Sequence, residues 1–330
     1  MLNRLTFVLC LIASQALSQT GVRPLDADLN GYTYPFPVHF LRINTQLQEY
    51  KMAYMDVQPA SPNGKSVMLL HGKNFNGAYW GKTAKNLAAE GYRVIIPDQI
   101  GFGKSSKPEH YQFSFHQLAR NTKTLLDSIG VSKVSVVGHS MGGMVATRFT
   151  LMYPQTVDKL ILVNPIGLED WKLKTPYVPI EKRYEAELKQ NYESIKKYQL
   201  ENYYDGKWKP EYDEWVNVLA GWTLHKDYKI VAWNAALTHD MIFTQPVLYE
   251  FGEIKIPTLL IIGQRDRTAI GKEAVSEDVR KTMGLYPELG RETQRRIPRA
   301  QLVELDNVGH MPHIEAFDRF IKPLVEFLRR

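Results

Sequence analysis

The chain has 330 residues, of which 44% are hydrophobic and 23% charged. That balance excludes a disordered polymer, and the length is ample for a large buried core without a second independent domain. The formal net charge is +6, but no long run of Lys or Arg is present, which argues against a nucleic-acid partner.

In chain order, the first feature is an export signal. Arg4 supplies a positive start, Leu5 to Ala13 form an apolar stretch, and Ala16-Leu17-Ser18 places small residues where a signal peptidase reads. Residues 1–18 are therefore expected to be removed, which predicts a periplasmic or secreted protein. The apolar stretch is too short for a comfortable bilayer span, and no other segment is long and apolar enough to cross a membrane. The single cysteine, Cys10, falls inside this signal, behind Leu9, which is a poor match to a lipoprotein signal. The mature chain is then expected to hold neither a disulfide nor a thiol nucleophile. Residues 20–33 read as a polar, loose lead-in.

Two β-like stretches follow, Val38–Ile43 and Tyr50–Val57, with the pattern of an antiparallel hairpin. Short apolar runs then recur at Ser66–Leu70, Tyr92–Ile96, Val134–Val137, Leu160–Val163, Thr258–Ile262 and Gln301–Leu305. Such runs suit parallel strands covered on both faces. Amphipathic stretches such as Phe115–Ile129 and Met141–Tyr153 separate them, so the fold class predicted is α/β, a doubly wound, mostly parallel sheet of eight strands. The rhythm breaks between Val163 and Thr258. That interval is rich in Trp and Tyr and holds a helix-like segment at Glu181–Gln199. A long structureless loop is improbable there. The division expected is a core of residues 34–166 and 236–330, with a helical insertion at 167–235.

Four loops carry the chemistry. Leu69-Leu70-His71-Gly72-Lys73 follows an early strand, and the amide of Lys73 is a candidate donor to a developing oxyanion. Gly138-His139-Ser140-Met141-Gly142-Gly143 lies between a strand and a helix, the context of a nucleophile elbow. The turn would lift the Ser140 hydroxyl clear of the sheet and bring the Met141 amide close to it as the second oxyanion donor. Glycines at 138 and 142 are expected because a Cβ there would strike backbone. Gly263-Gln264-Arg265-Asp266 ends a later strand, which makes Asp266 the candidate acid over Asp98, Asp240 and Asp306. Asp98 reads as a cap for backbone amides in its own turn. Val308-Gly309-His310-Met311-Pro312-His313 follows the last strand, with His310 the candidate base and His313 a capping or partly exposed residue. His71 reads as a structural hydrogen-bonding residue. The scattered histidines show no metal-ligand spacing.

These stretches, together with Pro97-Asp98-Gln99-Ile100-Gly101-Phe102-Gly103-Lys104-Ser105, resemble the α/β-hydrolase superfamily over about residues 34–330. The resemblance implies an α/β-hydrolase fold with a cap in place of the insertion, a Ser140–His310–Asp266 triad, Lys73 and Met141 amides as oxyanion donors, and no cofactor. Epoxide hydrolases and haloalkane dehalogenases are similar in cap and loops but carry Asp at the position of Ser140, which sets alkylation chemistry aside. The expected function is hydrolysis of a small-molecule carboxylic ester, carboxylesterase-like. The alternatives are cleavage of a carbon–carbon bond in a diketone by the same residues, and a non-catalytic ligand-binding or signalling protein of the same fold.

Overall fold

A computed structural model describes residues 21–330. The expected export signal and Cys10 lie outside the described residues. The sheet has eight strands, numbered in chain order: β1 (Val38–Thr45), β2 (Gln48–Val57), β3 (Ser66–Leu70), β4 (Arg93–Pro97), β5 (Val134–His139), β6 (Val157–Val163), β7 (Thr258–Gly263) and β8 (Ala300–Leu305). Their spatial order is β1-β2-β4-β3-β5-β6-β7-β8. The first hairpin and the β2–β4 pair are antiparallel, and all other neighbours are parallel. The sheet is the α/β-hydrolase fold expected from the sequence.

The inner parallel strands are largely apolar because both faces are covered, whereas β8, at the sheet edge, carries the exposed Gln301 and Glu304. Their side chains alternate with period two. Met68 and Leu70 of β3, and Leu260 and Ile262 of β7, point into one core layer; Val67 and Leu69, and Leu259 and Ile261, point into the other. Helices α2 (Phe115–Ser128), α3 (Met141–Met152) and α9 (Tyr286–Arg296) supply the first layer. Helices α1 (Gly81–Ala89) and α11 (Phe317–Arg329) supply the second. On α11, Phe320, Leu324, Phe327 and Leu328 are buried at three- and four-residue spacing, each contributing roughly 1.5–3 kcal/mol of apolar burial.

Chain order turns back at β3, so the loop after β3 lies beside the loop after β5. In such sheets ligands bind outside the carboxyl ends of the strands at this switch point. Between β6 and β7 the chain forms helices α4 (Ile180–Glu187), α5 (Tyr192–Asn202), α6 (Asp213–Thr223) and α7 (Tyr228–Thr244). Residues 270–300, longer than a plain crossover, hold α8 (Glu277–Lys281) and α9, with Ile270, Gly271 and Glu273 reaching the cavity described below. The short α10 (Pro312–Glu315) completes the α-helices among the described residues.

The lead-in is not loose over its described part. Leu29 is fully buried, and the segment ties α6 to the core. The Leu25 amide donates to the Gly221 carbonyl at 2.9 Å, Trp222 Nε1 donates to the Asp26 carbonyl at 2.9 Å, and the Tyr34 hydroxyl donates to Asp98 at 2.7 Å. Its apolar residues, Val22, Leu25, Ala27, Leu29 and Tyr32, stand among Pro, Gly, Asp and Asn in a stretch that forms no helix or strand, which is why the sequence reads as irregular.

Candidate active site

The turn after β5 is as tight as its glycines suggest. Ser140 sits at φ 56°, a left-handed conformation that is sterically costly for a residue with a side chain. A Cβ on Gly138 would lie 2.3 Å from the Gly142 carbonyl oxygen, and one on Gly142 would lie 2.3 Å from that of Leu70. No side chain fits either place. Ser140 is 6% exposed and faces a cavity.

Asp266, in the turn after β7, is fully buried. Its Oδ2 accepts from His310 Nδ1 at 2.6 Å and from Asn164 Nδ2 at 2.8 Å; its Oδ1 accepts from the Thr268 amide at 2.8 Å. Three donors compensate the buried charge, which an isolated carboxylate could not tolerate. With a carboxylate against it, Nδ1 of His310 carries the proton and Nε2 is left as the basic lone pair. That Nε2 is buried and has no hydrogen-bond partner among the described residues. The structure thus joins Asp266 to His310 directly. It records no hydrogen bond between His310 and the Ser140 hydroxyl, although the His139 ring next to Ser140 lies 4.7 Å from the His310 ring.

The base loop is clamped from several sides. The His310 amide donates to the Tyr203 carbonyl at 2.9 Å, and the Tyr203 ring stacks on the imidazole at 4.7 Å and 26°. The Tyr203 hydroxyl accepts from Asn74 Nδ2 at 2.9 Å, which ties the same residue to the loop after β3. Burial pushes this phenol well above its ordinary pKa, so it stays protonated. Arg265, next to Asp266, pairs with Glu315, donates to the Tyr204 carbonyl at 2.8 Å, and so braces the loop from outside; Glu315 in turn accepts from the Gly309 amide at 2.7 Å.

The backbone amides of Lys73 and Met141 donate to no acceptor among the described residues. The Lys73 side chain pairs with Glu187 of α4 at 3.2 Å and rims the cavity. His71 is structural: its Nε2 accepts from the Gln99 amide at 3.0 Å, and burial pushes its pKa down. Asp98 caps backbone as expected, accepting from the Gly77 and Lys104 amides at 2.7 and 2.8 Å. His313 departs from the reading of a partly exposed residue. It is 2% exposed and stacked on Trp80 at 4.4 Å, because α10 turns inward here. Burial, and then the neighbouring His310, push its pKa down to about 3.

The cavity holds about 480 Å³, within the range of small-molecule sites. Phe102, Ile166, Leu219, Trp222, Val231 and Ile242 form its apolar wall. Arg183, paired with Glu273, and His239 stand on the polar side. Burial, with the charges of Lys73 and Arg183 beside it, pushes the His239 pKa well down. Among the described residues, no group of three His, Cys, Asp or Glu could hold a metal ion, and no helix is long and apolar enough to cross a membrane.

Asn164, Tyr203, Arg265 and Glu315 were not found from sequence. Asn164 had one available signal: it follows β6 directly, beside the strand end that carries Asp266.

A family model described as alpha/beta hydrolase fold matches residues 65–317. A probable hydrolytic enzyme from Pseudomonas aeruginosa has a solved structure that is 50% identical and covers 93% of this chain and 99% of its own, with a TM-score of 0.92. Lipase 1 of Psychrobacter immobilis is 28% identical over 275 residues, 81% of this chain and 77% of that protein. A 2-hydroxy-6-oxo-6-phenylhexa-2,4-dienoate hydrolase of Burkholderia cepacia is 28% identical over 275 residues, 80% of this chain and 88% of that protein. The chain belongs to the alpha/beta hydrolase family and is a hydrolase.

Proposed function

We propose that this hydrolase cleaves a carboxylic ester of small to medium size through an acyl-enzyme on Ser140. The observation that carries the reading is the His310 ring. Its Nδ1 faces the Asp266 carboxylate at 2.6 Å, and its buried Nε2 has no partner among the described residues. A buried ring nitrogen without a partner calls for an explanation. A base waiting for a hydroxyl proton supplies one, and hydrogen bonds of this kind are often long before substrate binds.

In the first step Ser140 Oγ attacks the carbonyl carbon while its proton passes to His310 Nε2. The imidazolium is stabilised by Asp266, and the oxyanion is held by the Lys73 and Met141 amides. His310 then protonates the leaving alcohol. In the second step water, deprotonated by His310, releases the acid and restores Ser140. The insertion at 167–235 acts as a cap that roofs the cavity. Its apolar wall suits an apolar or aromatic acyl or alcohol group. The export signal read over residues 1–18 assigns the activity to the periplasm or the exterior. Loss of p-nitrophenyl ester hydrolysis in purified Ser140→Ala supports this reading; unchanged activity in that variant eliminates it.

A second reading is cleavage of a carbon–carbon bond in a diketone by the same residues. The likeness to the Burkholderia cepacia dienoate hydrolase favours it. Release of a carboxylic acid from a vinylogous diketone, with poor ester turnover, separates it from the first.

A further inference from the structure

A second buried hydrogen-bond chain runs beneath Ser140 and takes no part in the steps above. The Tyr79 hydroxyl accepts from the Gly72 amide at 2.9 Å and lies 3.0 Å from His139 Nδ1. His139 Nε2 lies 2.8 Å from the His310 carbonyl oxygen. The directions follow from chemistry. An amide only donates, so the Tyr79 oxygen accepts from Gly72 and gives its one proton to His139 Nδ1. His139 therefore keeps its own proton on Nε2 and donates it to His310, whose carbonyl only accepts. Each group in the chain has a partner of the right kind. Tyr79 is 4% exposed, and His139 and His310 are fully buried, so water does not compete. Burial also holds His139 well below its ordinary pKa, which keeps it in the neutral form the chain needs.

The chain joins three loops at their working residues. Gly72 precedes Lys73, whose amide is a proposed oxyanion donor. His139 precedes Ser140. The His310 carbonyl belongs to the proposed base, whose amide is held by Tyr203 at 2.9 Å. Space at the first junction is tight: a Cβ on Gly72 would lie 2.9 Å from Ser140 Cβ and 3.3 Å from His139 Nδ1. A shift of the oxyanion loop would therefore be felt by the nucleophile.

We propose that Tyr79 and His139 are positioning residues that set the spacing of the Lys73 amide, Ser140 and His310. This rests on the acyl-transfer reading above. Neither side chain touches substrate; both act through the backbone they hold. Errors of about 1 Å in such geometry are costly to the chemical step and need not weaken substrate binding.

The experiment is a double-mutant cycle of Tyr79→Phe, His139→Leu and the pair. Readouts are kcat and KM for p-nitrophenyl butyrate, and the second-order rate of Ser140 labelling by a fluorophosphonate. Tyr79→Phe removes one oxygen and keeps the ring that stacks on Phe75 at 4.9 Å and meets His313 edge-on. It is expected to lower kcat and the labelling rate together by about tenfold, with KM within about twofold. The pair is expected to lose little more than His139→Leu alone, because both break one chain. His139→Gln, whose amide reaches towards the His310 carbonyl, is expected to recover part of the loss and replaces His139→Leu if that variant does not fold. Unchanged kcat in folded Tyr79→Phe overturns the proposal, as do losses that multiply in the pair. If wild-type activity and labelling do not depend on Ser140, the acyl-transfer reading itself fails, which the Ser140→Ala control detects separately.

Discussion

Replacing Asp266 with asparagine attacks the electrostatics of the site with almost no change of shape. The carboxylate meets only donors: His310 Nδ1 and Asn164 Nδ2 on one oxygen, and the Thr268 amide on the other. An amide brings a donor of its own. Turned towards Thr268, it faces another N–H. Turned the other way, it faces Asn164, whose own carbonyl is already taken by the Gly263 amide at 2.9 Å. Either orientation leaves a buried donor unsatisfied, which costs about 1–3 kcal/mol of stability. In the second orientation His310 keeps the contact only by moving its proton to Nε2, where it can no longer accept the Ser140 proton. A wrong tautomer of this kind lowers kcat roughly 10⁴-fold, about 5.5 kcal/mol. In the first orientation the tautomer survives but the charge that supports the imidazolium is gone. Asp266→Asn is therefore expected to reduce kcat for p-nitrophenyl butyrate by about 10²- to 10⁴-fold at neutral pH, with KM little changed. Urea unfolding checks the stability loss. A folded variant with kcat within an order of magnitude of wild type refutes the role given to this carboxylate.

Gly309→Ala is expected to harm both stability and turnover. The new methyl would lie 1.9 Å from the Tyr203 carbonyl oxygen that holds the His310 amide, and overpacking of this kind costs about 1–3 kcal/mol. Unchanged Tm and kcat would show that Tyr203 does not press on the base loop. His313→Phe is expected to stabilise the protein in acid. The His313 pKa in the fold, about 3, lies below its ordinary 6.5, so between these values the unfolded chain binds a proton that the native one refuses. Stability from this residue is full above 6.5 and is lost as pH falls towards 3, by about 2 kcal/mol at pH 5. Neither ring nitrogen has a partner among the described residues, so phenylalanine sacrifices no hydrogen bond recorded there. An acid-unfolding midpoint that does not move to lower pH contradicts this.

The parts of the site that were readable from sequence are those written locally. Each candidate follows a strand within five residues: Lys73 after β3, Ser140 after β5, Asp266 after β7, His310 after β8. The glycines at 138 and 142 were equally legible, because backbone collisions in one turn need no distant partner. What stayed hidden is held by pairs far apart in the chain. Tyr203 meets His310, and Tyr79 meets His139, across separate elements. Their tyrosines looked like any others in an aromatic-rich chain. His313 was misplaced because a residue at a helix start is usually near solvent, whereas here the helix leads into the layer around Trp80 and Phe320. The lead-in reads as loose because its apolar residues stand among Pro, Gly, Asp and Asn and its contacts are made with Gly221, Trp222 and Asp98, residues distant in sequence.

The central claim is that His310, oriented by Asp266, activates the hydroxyl of Ser140. The direct measurement is the rate and position of fluorophosphonate modification, read by intact mass and peptide mapping, in wild type and in His310→Ala. One adduct, on the peptide that contains Ser140, formed at least about 10²-fold more slowly in the variant, is the predicted result. Modification of another residue, or equal rates in the two proteins, would contradict it.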